Sequence, residues 1–184
     1  MNNKPALFVI CGDFETGKTR FSQRLALTMH ELGWDVAGIV SPAVFQDDVK
    51  IAIDALDLRS GERCRLAELI QAGSKLEGPA TKRWQFSRET LNWCNFLLRS
   101  AVPCDLLMID ELGPLEFERE TGMVCGIESI DEGDYLAAVI VIRPNLLAHA
   151  RRRWPHFEDI ELAQTGSDET STTCWAQKLV PLKT

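Results

Sequence analysis

One eight-residue segment near the beginning of the chain constrains the fold most. Residues 12–19 read Gly-Asp-Phe-Glu-Thr-Gly-Lys-Thr and fit G-x-x-x-x-G-K-[ST], the phosphate-binding P-loop pattern. An apolar run at 6–11 precedes the segment, and apolar residues at helical spacing follow it from Phe21 to Leu32. A strand, a loop and a helix in this order separate a working P-loop from a glycine-containing turn. The segment therefore predicts a nucleoside-triphosphate site.

Each residue type in this loop has a physical reason to bind phosphate. Glycines let the backbone approach the phosphates closely, and the N–H groups at the start of the helix favour negative charge. Lys18 would bind the β- and γ-phosphates, and Thr19 would offer its hydroxyl to Mg²⁺, the expected cofactor of ATP or GTP. The predicted nucleotide-binding residues are Gly12, Asp13, Phe14, Glu15, Thr16, Gly17, Lys18, Thr19 and Arg20.

A second motif, of the Walker-B form, lies far downstream. The apolar run at 106–109 ends in Asp110 and Glu111. The Asp110 carboxylate would hold Mg²⁺ opposite Thr19. Glu111 would orient or deprotonate an attacking water, which favours hydrolysis over nucleotide storage. The alternative for Glu111 is a solvated glutamate at the end of a strand.

Two further residues are catalytic candidates. Glu116 follows a tight turn that begins at Gly113, and it would position water or contact a basic residue, unless it has no part in catalysis. Hydrolysis also needs positive charge on the γ-phosphate beyond Lys18. Arg143 directly follows the apolar run at 135–142 and is the candidate for this charge. A solvated arginine at a strand end is the alternative.

Strand-like and helix-like segments alternate along the chain, which predicts an α/β fold. We expect a mostly parallel sheet flanked by helices on both faces. Ligands bind such sheets at the carboxyl ends of the strands, where Gly12 and Asp110 both fall. The predicted strands are 6–11, 35–41, 49–58, 84–86, 105–111, 135–142 and 160–163, and the predicted helices are 21–32, 88–99, 118–131, 144–154 and a C-terminal helix from 167, with a turn at 46–48 and a surface loop at 71–83.

Length and composition narrow the class of protein. A chain of 184 residues predicts a single domain over 1–184. A net charge of −7 argues against nucleic acid as the main partner, despite the three arginines at 151–153. The six cysteines include no C-x-x-C pair, so we expect no zinc site.

The same survey bears on the compartment and the partners. The sequence contains no apolar run of the roughly 18 residues that a membrane span needs and no secretory leader. We therefore expect a cytoplasmic protein with no membrane association and with a nucleotide as its ligand. Nothing in the sequence indicates a protein partner, although one stays open.

A family resemblance follows from the acidic motif. Residues 110–116 read Asp-Glu-Leu-Gly-Pro-Leu-Glu and resemble the D-E-[IL]-G-x-[ML]-E signature of small nucleoside-triphosphatases found in thermophiles, bacteria and animals, the cancer-related nucleoside-triphosphatase family. Residues 33–40 and 49–66 resemble the family's second strand and the strand and turn after it. The resemblance covers about residues 6–165. It implies a RecA-like P-loop NTPase domain that hydrolyses nucleoside triphosphates, with broad base tolerance and slow turnover.

The chain departs from the family pattern at several positions. The family usually has glycine at the position of Glu15 and a second threonine at that of Arg20. Glu15 would have to point away from the phosphates or pair with a cation, Arg20 among them. The family's arginine-rich stretches expected around 43–52, and its Asn-Arg pair expected within 166–171, are absent. These differences concern rate and base preference more than phosphate binding.

Three functions remain open from the sequence. The first is Mg²⁺-dependent hydrolysis of nucleoside triphosphates to diphosphate and phosphate by a phosphoanhydride hydrolase. The second is a phosphotransferase or an ATP-dependent ligase on the same fold, with a small-molecule acceptor beside residues 41–48 and 71–86. The third is a slow regulatory ATPase that acts on a protein partner.

Overall fold

The computed structural model of the protein describes residues 5–12, 16–70, 75–160, 162 and 169–183. Within them, nine strands form one sheet. The strands are β1 (Ala6–Cys11), β2 (Val36–Val40), β3 (Ala43–Gln46), β4 (Val49–Asp57), β5 (Arg63–Leu69), β6 (Trp84–Phe86), β7 (Cys104–Leu112), β8 (Tyr135–Ile142) and β9 (Glu158–Ile160). The helices are α1 (Lys18–Glu31), α2 (Arg88–Arg99), α3 (Pro114–Phe117), α4 (Val124–Glu132), α5 (Leu147–Arg153) and α6 (Glu169–Leu179), with 3-10 turns at Pro144–Leu146 and Val180–Lys183.

The sheet has a parallel half and an antiparallel half. Its strand order is β6-β5-β4-β2-β7-β8-β1-β9, with β3 paired to β4. The neighbours β2, β7, β8, β1 and β9, in this order along the sheet, pair in parallel, as predicted. On the other side of β2 the pairing is antiparallel. Strand β4 pairs with β2, β3 and β5, and β5 pairs with β6, so these strands extend one edge of the sheet.

Strand β7 shows why the parallel half is stable. Leu107 and Ile109 pack into an apolar cluster with α2, α4 and α5 on one face of the sheet. Leu106 and Met108 pack into a second cluster with α1 and α6 on the other face. Successive side chains of a strand point to opposite faces, so a strand covered on both sides needs a continuous apolar run. This burial fixes the carboxyl end of β7, where Asp110 lies.

Several predicted elements have different bounds in the structure. The predicted helix 118–131 is helical only from Val124, where α4 begins, because residues 118–123 form the break between α3 and α4 and include Gly122 at a φ of +75°. The predicted helix 144–154 begins as a 3-10 turn and is α-helical only over α5. The last described strand, β9, begins two residues before the predicted strand 160–163 and shares only Ile160 with it. Residues 161 and 163 lie outside the described part.

The antiparallel half contains two strands that the sequence did not predict, β3 and β5. Strand β3 pairs with β4 in a hairpin that turns at Asp47 and Asp48, whose φ angles are +48° and +59°. Two positive φ angles match the turn that best fits the twist of two-residue hairpins. The predicted turn at 46–48 is therefore confirmed, whereas the strand before it was missed.

Across the described residues, no helix is both long enough and apolar enough to cross a bilayer.

Candidate nucleotide site

A cleft with a volume of about 820 Å³ lies at the carboxyl ends of the parallel strands. The loop after β1, Glu111 of β7 and Arg143 after β8 line one part of it. The β3–β4 hairpin and the start of β6 line the rest. The cleft thus lies where α/β sheets bind their ligands.

The ammonium group of Lys18 contacts both described ends of the loop after β1. Lys18 Nζ donates hydrogen bonds to the Gly12 carbonyl oxygen at 2.8 Å and to Thr16 Oγ1 at 3.2 Å. Gly17 precedes α1 with a φ of +81°, a left-handed conformation that glycine adopts without the usual strain. The first turn of α1 therefore begins at the cleft, and its N–H groups are available to an anion.

The structure describes six of the nine predicted nucleotide-binding residues. Asp13, Phe14 and Glu15 lie outside the described residues. The expectation that Glu15 points away from the phosphates or pairs with a cation therefore stays a prediction. Arg20 is exposed on the first turn of α1 and lines the cleft. Of the predicted nucleotide-binding residues that are described, all line this one cleft: Gly12, Thr16, Gly17, Lys18, Thr19 and Arg20.

Asp110 lies directly beneath the loop. It is only 1% exposed, its carboxylate is hydrogen-bonded to the Thr19 side chain, and its Oδ2 accepts the Ser41 backbone N–H at 3.1 Å. Burial raises the pKa of Asp110 to about 6, although the bonds from Thr19 and Ser41 and the Lys18 charge act in the opposite direction. The structure thus brings together Thr19 and Asp110, which are far apart in the sequence.

The pair Thr19 and Asp110 fits a magnesium ion. Mg²⁺ prefers oxygen ligands, keeps several waters and needs only one or two protein oxygens beside substrate phosphates. A cation there would also relieve the cost of an ionised carboxylate at a buried position. In the part of the chain that is described, no cluster of three or more His, Cys, Asp or Glu could hold a metal. This donor set suits an ion held largely through the substrate.

Glu111 and Arg143 form an ion pair between the neighbouring strands β7 and β8. Both side chains are about one third exposed, at 38% and 33%, and both line the cleft. Glu111 has a φ of +71°, and the pairing register of β7 shifts between Ile109 and Leu112. Positive φ costs a non-glycine residue about 1–3 kcal/mol. The irregularity lets Glu111 reach the cleft directly after the buried Asp110.

Glu116 is placed differently from the catalytic role that the sequence predicted for it. It is 7% exposed, and its two oxygens accept the backbone N–H groups of Gly113 and Met123, each at 2.8 Å. Burial raises the pKa of Glu116 to about 7. It is not among the described residues that line the cleft. These contacts favour the structural alternative, in which Glu116 holds the turn that follows the acidic pair.

Sequence reasoning did not name three residues that the structure brings to the site, although the acceptor segment 41–48 of one alternative includes two of them. Ser41 binds Asp110 through its backbone N–H, while Phe45 and Lys50 line the cleft from the hairpin. The available signal for Ser41 was its position at the end of a buried strand. Phe45 and Lys50 carried no such signal, because the strand β3 that presents Phe45 was not predicted.

The chain is similar to known nucleoside-triphosphatases. A family model described as NTPase matches residues 7–160. The nucleoside-triphosphatase THEP1 of Pyrococcus abyssi is 28% identical over 111 residues, which are 60% of this chain and 60% of that protein. The nucleoside-triphosphatase THEP1 of Methanothermobacter thermautotrophicus is 26% identical over 147 residues, or 78% of this chain and 80% of the relative. The match to the Pyrococcus relative thus spans only about three fifths of its length.

A solved structure supports the fold. The solution structure of a human cancer-related nucleoside triphosphatase superimposes with a TM-score of 0.67 over 96% of both chains, at 16% identity. At this identity the similarity concerns the fold alone, and it agrees with the predicted α/β class.

Proposed function

Because the chain belongs to the NTPase family, we propose that it hydrolyses nucleoside triphosphates, ATP and GTP among them, to diphosphate and phosphate with Mg²⁺. The contact between Thr19 and Asp110 beneath the loop that holds Lys18 is the observation that supports the proposal most. It joins hydroxyl, carboxylate and ammonium groups at one end of one cleft. Such a set suits a polyphosphate with its metal ion.

Each group at this end of the cleft has a role in the proposed reaction. The Lys18 ammonium and the N–H groups at the start of α1 bind the phosphates. Thr19 and Asp110 hold Mg²⁺, which when bound offsets the negative charge of the phosphate oxygens. Arg143 adds positive charge where the transferred phosphoryl group becomes more negative.

Glu111 activates the water in this proposal. The water oxygen bonds to the γ-phosphorus, the bond from that phosphorus to the bridging oxygen breaks, and the electron pair leaves with the nucleoside diphosphate. The water proton passes to the Glu111 carboxylate, which lines the cleft. The ion pair with Arg143 fixes the direction of this carboxylate.

The test is release of inorganic phosphate from ATP and from GTP with Mg²⁺ and without any acceptor. We expect release from both, none when the metal is chelated, and a loss of at least tenfold in kcat/KM for Lys18→Ala, since a charge-assisted phosphate contact is worth roughly 1.5–3 kcal/mol. Lys75→Ala is the matched control, because Lys75 is exposed and not among the described lining residues.

Other results of this assay would contradict the proposal. Binding without release would favour the regulatory ATPase, and release only with an added acceptor would favour the phosphotransferase or ligase. Unchanged triphosphate binding and unchanged turnover in Lys18→Ala would show that this loop does not bind the phosphates.

A further inference from the structure

We propose that the cleft contains a second ligand site, formed by Phe45, Lys50, Arg83 and Trp84, for a small molecule that joins a planar ring to an anionic group. The inference rests on the proposed function in one respect, since that function puts the triphosphate at the P-loop end of the same cleft. The second site belongs to the other end.

The strand order locates this site relative to the phosphates. Along the sheet, the P-loop follows β1, then come β8 with Arg143, β7 with Glu111, and β2, beyond which lies the hairpin. The acidic residue and the arginine that act on the γ-phosphate therefore lie between the P-loop and the hairpin. A ligand on the hairpin side would face the reacting end of the triphosphate.

The apolar part of the site is an aromatic wall. Phe45 lines the cleft and is 59% exposed, which is a large exposure for a phenylalanine that borders a cavity. The Trp84 side chain lines the same part of the cleft and is otherwise buried, at 7% exposed. Exposed aromatic rings stack with flat ligands and lose little conformational freedom in doing so.

The polar part of the site is cationic. Lys50 Nζ lies 5.2 Å and Arg83 Cζ 5.5 Å from the centroid of the Trp84 ring, so the aromatic ring holds two cations against one wall of the cleft. Asp48 also lines this part. Because Lys50 and Arg83 outnumber this one carboxylate, the side chains of the site have a net positive charge, although the net charge of the whole chain is −7.

These two parts together specify the ligand. A ring would stack on Phe45, and an anionic group on the same molecule would pair with Lys50 or Arg83. A free anion would miss the aromatic contact, and a neutral ring would miss the charge. We therefore expect preference for molecules that combine both features.

The experiment uses 1-naphthyl phosphate as the probe. The whole chain is first saturated with Mg²⁺ and a non-hydrolysable ATP analogue, and the probe is then titrated by calorimetry. We expect it to bind at least tenfold more tightly than inorganic phosphate, which lacks the ring, or 1-naphthol, which lacks the charge.

Variants of the hairpin assign this binding to the site. Phe45→Ala should weaken it about tenfold or more, as for other stacked rings. Lys50→Ala and Arg83→Ala should each weaken it by about two- to fivefold, as expected for partly exposed ion pairs. Val49→Ala is the matched control, because Val49 lies on the same hairpin, is 54% exposed and is not among the described lining residues.

Three outcomes would overturn the inference: no binding of the probe, equal binding of phosphate or naphthol, or unchanged affinity in Phe45→Ala. If the ATP analogue binds and the probe does not, this inference alone fails. If the analogue itself does not bind, the proposed function fails, and titration of the probe to the nucleotide-free chain with the same variants still decides the second site.

Discussion

Glu111 shows how much of the proposed chemistry depends on single residues. Its backbone has a positive φ, its side chain lines the cleft, and its carboxylate pairs with Arg143. A glutamate that only ended a strand would have no need of this conformation, which costs about 1–3 kcal/mol. Strained residues of this kind cluster at functional sites, and this supports a functional reading over a solvated strand end.

Replacement of Glu111 by glutamine tests the assignment of the base. Glu111→Gln keeps the size of the side chain but cannot accept the water proton. We expect binding of a magnesium triphosphate analogue within about threefold of the original, with phosphate release lowered by roughly 10²–10⁴-fold, the usual contribution of a general base. Single-turnover phosphate release and calorimetric binding measure the two effects separately.

The control for this variant is Glu118→Gln. Glu118 is exposed and is not among the described residues that line the cleft, so both turnover and binding should be unchanged. Turnover that survives in Glu111→Gln would show that another group activates the water.

Single residues also show what the sequence could predict about the site. Lys18, Thr19 and Asp110 belong to local patterns with known chemistry, and the structure brings all three together. The environment of Glu116 depends on the Met123 backbone N–H, which becomes a partner only when the chain after α3 folds back. A spacing pattern does not contain that contact, so the sequence could not choose between its two roles.

Among the structural elements, the segment between β7 and α4 is the one that Glu116 organises. Its carboxylate joins the start of α3 to the N-terminal end of α4 through the N–H groups of Gly113 and Met123. Gly122 lies against this carboxylate with a φ of +75°, and a Cβ atom there would overlap Glu116 Oε1. The segment therefore depends on a glycine at this position for two reasons, conformation and space.

Gly122→Ala tests this dependence, with Gly61→Ala as the matched control. Gly61 has nearly the same φ, +76°, but nothing lies within 4 Å of an added Cβ. Gly61→Ala should cost about 1 kcal/mol of unfolding free energy through conformational strain. Gly122→Ala should cost at least about twice as much, because it also displaces a buried carboxylate. Urea denaturation of both variants measures the difference, and equal losses would rule out the clash with Glu116.

Two glycines of one predicted helix have different structural roles, which the sequence pattern could not distinguish. Both Gly122 and Gly126 weaken the helical pattern at 118–131. Gly122 lies in the break before α4, whereas Gly126 lies within α4, where its missing side chain lets the helix approach Ile109 of β7. Only the packing distinguishes the two positions, so the sequence predicted a helix from residue 118 where the structure begins α4 at Val124.

For the whole molecule, the two halves of the sheet differ in how far the sequence predicts them. The central parallel strands β1, β7 and β8 are largely buried, and their continuous apolar runs made them predictable. In the antiparallel half, β3 is only partly buried and pairs with β4 alone. Such a strand has little apolar patterning of its own, and its pairing depends on the turn. The half that carries the proposed second site is therefore the less predictable half.

The whole molecule also carries an electrostatic cost that depends on pH. Burial raises the pKa of Asp110 from 3.8 to about 6 and that of Glu116 from 4.5 to about 7. The native state therefore binds more protons than the unfolded state between about pH 4 and pH 7. Stability must fall as pH rises through this window and level off above it. Asp105, whose pKa is lowered, acts in the opposite direction but only below its ordinary value of 3.8.

We expect the metal-free protein to lose a few kcal/mol of unfolding free energy between pH 5 and pH 8, at roughly 1.4 kcal/mol per unit of pKa shift. Urea denaturation across this range measures the loss. Glu116→Gln cannot ionise, so its stability should depend less on pH, and the remaining dependence should level off above about pH 6, the folded-state pKa of Asp110. Saturating Mg²⁺ and a triphosphate analogue should flatten that remainder, because a cation at Asp110 stabilises the ionised carboxylate. Stability that rises with pH through the window in the metal-free protein would contradict the burial of these two acids, and with it the position of Asp110 beneath the P-loop.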